Sequence, residues 1–150
     1  MTDESQILAA QLDDLVLALR SATADRAGLS LTAAATLARL QREGPARLTE
    51  LATAEGITQP SMTALVTRLS AQGLVRRDAD PSDGRAVVLS LTRAGEDLLT
   101  RRRATRTARL VPHLAALSDD DLRSIAEAMP ALTRLTGALR PSSTILEGTR

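Results

Sequence analysis

Apolar residues recur every three or four positions along most of this chain, and the pattern is most informative between Leu48 and Thr92. Here it predicts two short helices, a hairpin and the start of another helix. At about 100° per residue, Met62, Leu65, Val66 and Leu69 fall on one stripe, while Pro60, Ser61, Thr63, Ala64, Thr67 and Arg68 fall on the opposite side. The second short helix is predicted from near Thr58 to about Gln72. Thr58 serves as N-cap, Pro60 sits in the first turn where a missing N–H costs little, and Gly73 is the stop.

Beyond Gly73, Leu74 to Asp78 and Ala86 to Leu91 are predicted strands, the second rich in Val and Leu. The intervening Ala79-Asp80-Pro81-Ser82-Asp83-Gly84-Arg85 carries turn residues and is expected to protrude. A helix is predicted to begin near Thr92. Pro112 and Pro130 are expected to kink or end their helices, because each removes a backbone donor, so the linker helix should stop near residue 111.

The ends of the chain are amphipathic. Leu8, Leu12, Leu15 and Leu19 recur at helical spacing, and Ile7, Val16 and Leu17 widen that face beyond what a half-buried helix needs. Ser118 with Asp121 resembles a capping box, and Leu122, Ile125, Met129, Leu132 and Leu139 form the stripe that follows. Two separated apolar helices call for a partner, and the simplest is a second copy across a two-fold axis. The alternative is packing within one chain.

The outer side of the second short helix holds the candidate chemistry. No acidic residue occurs from Gly56 to Arg77, whereas an ordinary solvated helix carries Glu and Lys. A small, polar, acid-free face can enter a major groove walled by phosphates, where Ser, Thr, Gln and Arg bond base edges or backbone oxygens. Arg85 sits just past the loop tip, within reach of a minor groove, and Asp83 is placed to hold its guanidinium.

These residues carry a family resemblance. Leu51-Ala52, Gly56, Met62 and Leu65 match helix-turn-helix positions, while Gly73-Leu74-Val75-Arg76-Arg77, Asp80-Pro81, Asp83-Gly84-Arg85 and Leu89-Ser90-Leu91-Thr92-Arg93-Ala94-Gly95 resemble the winged hairpin of the MarR (multiple antibiotic resistance regulator) family. The match runs roughly from Leu31 to Leu99. Gly84 departs from it, since members often carry a second basic residue there.

The resemblance implies a mainly α fold with a small two- to three-stranded β wing: a winged helix-turn-helix core flanked by N- and C-terminal dimerisation helices. One domain is expected over residues 1–150, divided into an N-terminal dimerisation helix (1–28), the winged helix-turn-helix (29–92), a linker and C-terminal dimerisation helix (93–140) and a loosely held tail (141–150). It also implies a homodimer on a palindromic double-stranded operator. Gln59, Pro60, Ser61, Thr63, Thr67 and Arg68 would then lie in the major groove, Asp83 and Arg85 at the minor groove, and Leu8, Leu12, Leu15, Leu19, Leu122, Ile125, Met129 and Leu132 between the subunits. Family members often bind a small-molecule effector that weakens DNA binding, and many are repressors.

Composition narrows the alternatives. The 150 residues contain no Cys and one His, which leaves no disulfide, thiol switch or Cys- or His-based metal cluster. His113 is expected as an ordinary core or surface imidazole. With no Phe, Tyr or Trp, the chain has no stacking platform for single-stranded nucleic acid, and any effector pocket must be lined by aliphatic and Arg side chains. No phosphate-cradling loop, nucleophile elbow or metal set is present, so neither an enzyme nor a cofactor is expected. No signal peptide or membrane span is evident, which makes a cytoplasmic location the expectation.

The formal net charge of +1 is unevenly spread. From Arg39 to Arg109 there are 13 Arg against 8 acids, a balance of +5; the ends carry 6 against 10, a balance of −4. A basic middle suits phosphate and acidic ends suit protein contacts. Arg102, Arg103, Arg106 and Arg109 share one sector of the linker helix, with Arg101 apart. That cluster can contact flanking phosphates, bind acids of the terminal helices, or simply be solvated.

Overall fold

The computed structural model describes residues 2–24, 29–80, 82–83 and 86–139. Among the described residues, six helices and three strands follow in order: α1 (Thr2–Ala22), α2 (Leu31–Glu43), β1 (Ala46–Arg47), α3 (Leu48–Ala54), α4 (Gln59–Ala71), β2 (Val75–Ala79), β3 (Val87–Leu91), α5 (Arg93–Ala115) and α6 (Asp119–Ala138). The chain divides into two compact units, Met1–Val111 and Pro112–Arg150.

The first unit holds the core. Leu37 and Leu40 of α2, Leu51 of α3, Met62, Leu65, Val66 and Leu69 of α4, and Leu74, Val75 and Leu89 of the hairpin close on one another. The predicted stripe of α4 is thus its buried face. Each turn between these elements has a local cause. Thr58 accepts the Ser61 N–H at 3.3 Å and starts α4. Gly73 ends it at φ 70°, a left-handed conformation that suits a residue without a side chain. Between α3 and α4, Ile57 N–H donates to the Ala52 carbonyl at 3.1 Å, so the helix-turn-helix corner folds back on its own last turn.

The sheet is antiparallel in the order β1-β3-β2, with Ala46 opposite Leu89 and Asp78 opposite Val88. β1 is the third strand of the wing, too short for alternation to reveal. Thr92 joins the hairpin to α5: its hydroxyl donates to the Gly73 carbonyl at 2.6 Å and accepts the Gly95 N–H at 3.1 Å. Arg39 ties α2 to the end of α3 through Glu55 at 3.2 Å, and to Glu43 at 2.9 Å.

Neither proline ends its helix. α5 continues through Pro112 to Ala115, four residues beyond the predicted stop, and α6 continues through Pro130. An interior proline forfeits its own bond to the carbonyl four residues back, and here those carbonyls belong to the exposed Ala108 and Ala126, which solvent can satisfy. In the second unit, Ser118 Oγ accepts the Asp121 N–H at 3.2 Å, so α6 begins where the capping residues place it.

Along α1, Leu8, Leu15 and Leu19 are exposed and Leu12 is half-buried; along α6, Ile125 and Met129 are exposed, with Leu122 and Leu132 half-buried. Among the described residues no helix is long and apolar enough to cross a membrane. His113 is on the surface of the last turn of α5. In the Arg cluster, Arg102 is half-buried, Arg101, Arg103 and Arg106 are exposed, and Arg109 donates to the Ala24 carbonyl.

Candidate nucleic-acid interface

The four buried positions of α4 decide what it shows to solvent. Gln59, Pro60, Ser61, Thr63, Thr67 and Arg68 are all exposed on one side of the helix, so the sequence-derived set stands together on the surface. Thr63 and Thr67 donate their hydroxyls to the carbonyls of Gln59 and Thr63 at 2.9 and 2.8 Å. What they offer outward is therefore oxygen lone pairs and methyl groups, suited to base amino groups and thymine methyls. The Thr58 and Ser61 hydroxyls lie 2.9 Å apart and cap the helix end. Arg68 makes no ion pair among the described residues and keeps its full set of donors for a ligand.

Beside this face lies a cleft of about 460 Å³ lined by Arg47, Leu48, Thr49, Gln59, Thr63, Arg77, Asp83, Ala86 and Val87. It joins the start of α4, the start of α3 and the wing. Thr49 and Arg77 are interface candidates that the sequence reading did not single out, and Arg47, which it also passed over, lines the same cleft while paired with Asp80. Alternation along β2 puts Arg76 and Asp78 on one face, paired at 2.8 Å, and Arg77 on the other, toward the cleft. The first pair neutralises itself. Arg77 makes no ion pair among the described residues.

The wing loop does not simply protrude. Asp80 is only 8% exposed and organises the loop from within. Its Oδ1 accepts the Ser82 N–H at 2.7 Å and the Ser82 hydroxyl at 2.6 Å, while Oδ2 accepts Arg47 Nε at 2.6 Å. The Ser82 bonds, followed by the Arg47 contact, hold its carboxyl at about 2, below the ordinary 3.8. The same pairing, led by the hydrogen bond that Arg47 donates to Asp80, raises the Arg47 guanidinium above its ordinary value. The Asp83 N–H donates to the Asp80 carbonyl at 3.3 Å and the Asp83 carbonyl accepts the Ala86 N–H at 2.8 Å, so Asp83 closes the turn while its side chain lines the cleft. Arg85, with Pro81 and Gly84, lies outside the described residues.

An exposed, acid-free helix set after a helix-turn corner and beside a three-stranded wing defines a winged helix-turn-helix DNA-binding protein. The relatives agree. Residues 29–87 match the MarR family. An uncharacterised HTH-type transcriptional regulator of Mycobacterium bovis is 36% identical over 107 residues, 69% of this chain and 75% of that protein. The HTH-type transcriptional repressor NicR of Pseudomonas putida is 39% identical over 64 residues, 43% of this chain and 40% of NicR. Among solved structures, a transcriptional regulator of Thermotoga maritima superposes with a TM-score of 0.70 at 25% identity, covering 92% of this chain and 96% of that one. The chain belongs to the MarR family of transcriptional regulators, which are DNA-binding proteins and not enzymes.

Proposed function

We propose that the chain is a homodimeric repressor that reads a palindromic operator, with Gln59, Pro60, Ser61, Thr63, Thr67 and Arg68 in the major groove and Arg85, held by Asp83, in the minor groove. The observation that carries this is the exposed face of α4, polar and free of acids, beside a cleft whose walls include Arg47 and Arg77. Repression is supported by NicR, a relative that bears that designation. The homodimer is supported by the exposed apolar residues of α1 and α6, and two recognition helices about one DNA turn apart, roughly 34–36 Å, would follow from its two-fold axis. The proposal extends to a small-molecule effector that favours a half-site spacing unsuited to the operator.

The test is titration of the purified protein against the duplex upstream of its own gene, with a scrambled duplex alongside, at two salt concentrations. Saturable, selective binding of a dimer, weakening steeply with salt as counterions are released, supports the proposal. Equal binding of both duplexes points to a nonspecific architectural role. Absence of binding at low salt points to a winged helix used for protein contacts.

A further inference from the structure

Arg47 spans the sheet. It sits on β1 opposite Val88 of the middle strand β3, yet its side chain bonds Asp80, just past the end of β2 on the far side. Nε donates to Asp80 Oδ2 at 2.6 Å, and Nη2 donates to Ser82 Oγ at 3.1 Å. Asp80 is enclosed by donors on both oxygens, since its Oδ1 takes the Ser82 amide and hydroxyl. At its other end, the Arg47 N–H donates to Glu50 Oε2 at 2.8 Å and closes the first turn of α3. One residue therefore fastens the loop of the wing to the helix-turn-helix.

We propose that Arg47 is a positioning residue for DNA recognition, which sets where the wing stands relative to α4 by holding Asp80 and Ser82 and does not itself grip a phosphate. This deepens the DNA-binding reading above and rests on it. Two of the three guanidinium nitrogens are committed within the protein, and the Asp80 carboxylate already neutralises the charge that a phosphate would seek. Among the described residues, the loop also closes on backbone bonds at Asp80, Asp83 and Ala86. A hairpin loop that moves freely has to be ordered during binding, and fixing it beforehand removes that cost.

The experiment compares Arg47→Ala, Asp80→Ala, the double variant and Ser82→Ala in the full chain. Amide exchange is followed in the free protein at Asp83 and Ala86, whose acceptors are backbone carbonyls that none of these changes removes. Affinity for the upstream duplex is followed across salt concentrations. Arg47→Ala and Asp80→Ala are each expected to speed exchange at both amides and to weaken selective binding about tenfold. The double variant should be no worse than either, with the salt slope unchanged. Ser82→Ala, on an exposed residue outside the core, should show a smaller loss in the same direction and serves where the other variants fold poorly.

Unchanged affinity in Arg47→Ala overturns the proposal, as do additive losses. So does a salt slope shallower by about 0.9 in Arg47→Ala with full affinity in Asp80→Ala, the mark of a direct phosphate contact. If the unaltered protein binds no duplex, the DNA reading itself fails, and exchange alone then reports whether the fastening exists.

Discussion

Gly95 stands so close to Leu74 that a Cβ on it would lie 2.5 Å from the Leu74 carbonyl oxygen and 2.6 Å from Leu91 Cδ1. The carbonyl cannot easily retreat, because it accepts the Thr92 N–H at 3.1 Å at the root of the wing. In an open helix, Gly→Ala stabilises by about 1 kcal/mol through propensity. Here the clash with backbone opposes it, and overpacking of this kind costs about 1–3 kcal/mol. Gly95→Ala is therefore expected to lower stability by about 1 kcal/mol or more, read as a reduced urea midpoint. An unchanged or raised midpoint would show that the junction yields.

The two sides of α4 should separate stability from binding. Met62 is fully buried, and Met62→Ala is expected to cost about 2–5 kcal/mol of folding stability. Thr67 and Arg68 are exposed, so their alanine variants should stay within about 0.5 kcal/mol of the parent in folding. Arg68→Ala, and Arg85→Ala in the wing, should each weaken operator binding by about 1–3 kcal/mol. Denaturation beside duplex titration checks both halves, and full affinity in Arg85→Ala would end the wing assignment.

The division of α4 into a buried and an exposed side is legible in the sequence, because a helix of period 3.6 with Thr58 before it and Gly73 after it leaves little choice of register. The hairpin was legible for a similar local reason, its loop being written in Asp, Pro and Gly. Arg47 was not. Its partner Asp80 is 33 residues away, and the two-residue strand that aims it shows no alternation of its own. Asp80 belongs to a loop that local rules expect to protrude; the bonds from Ser82 and Arg47 draw it in. The proline rule misplaced the end of α5, which runs on through Pro112. It describes the loss of one bond but does not account for solvent replacing that bond on an exposed helix.

The depressed Asp80 carboxyl gives a pH dependence with a definite sign. Folding lowers its value from 3.8 to about 2, so the folded state favours the carboxylate. The stability this contributes is fully present above the unfolded value and is lost as pH falls through the folded one. Asp80→Asn should therefore lower the urea midpoint by a constant amount at neutral and mildly acidic pH. The gap to the parent should then narrow below about pH 4. A gap that stays level down to about pH 2 would mean that the Ser82 and Arg47 bonds do not discriminate between the two protonation states.

α1 and α6 each carry exposed apolar side chains: Ile7 is 53% exposed, Leu8 55% and Leu15 47% on α1, and Met129 49% on α6. A solvated helix gains little from such residues, whereas burying each against a second copy would contribute about 1–2 kcal/mol. Leu15→Asp on α1 and Met129→Asp on α6 are each expected to shift the protein from dimer to monomer in sedimentation velocity at micromolar concentration. Helix content should be retained, because neither side chain belongs to the core of its own chain. Operator affinity should fall in parallel by about 2 kcal/mol or more, since a monomer presents one recognition helix to a two-half site. A variant that becomes monomeric and still binds with parental affinity would detach dimerisation from DNA reading, and one that stays dimeric would place the subunit contact on some other surface.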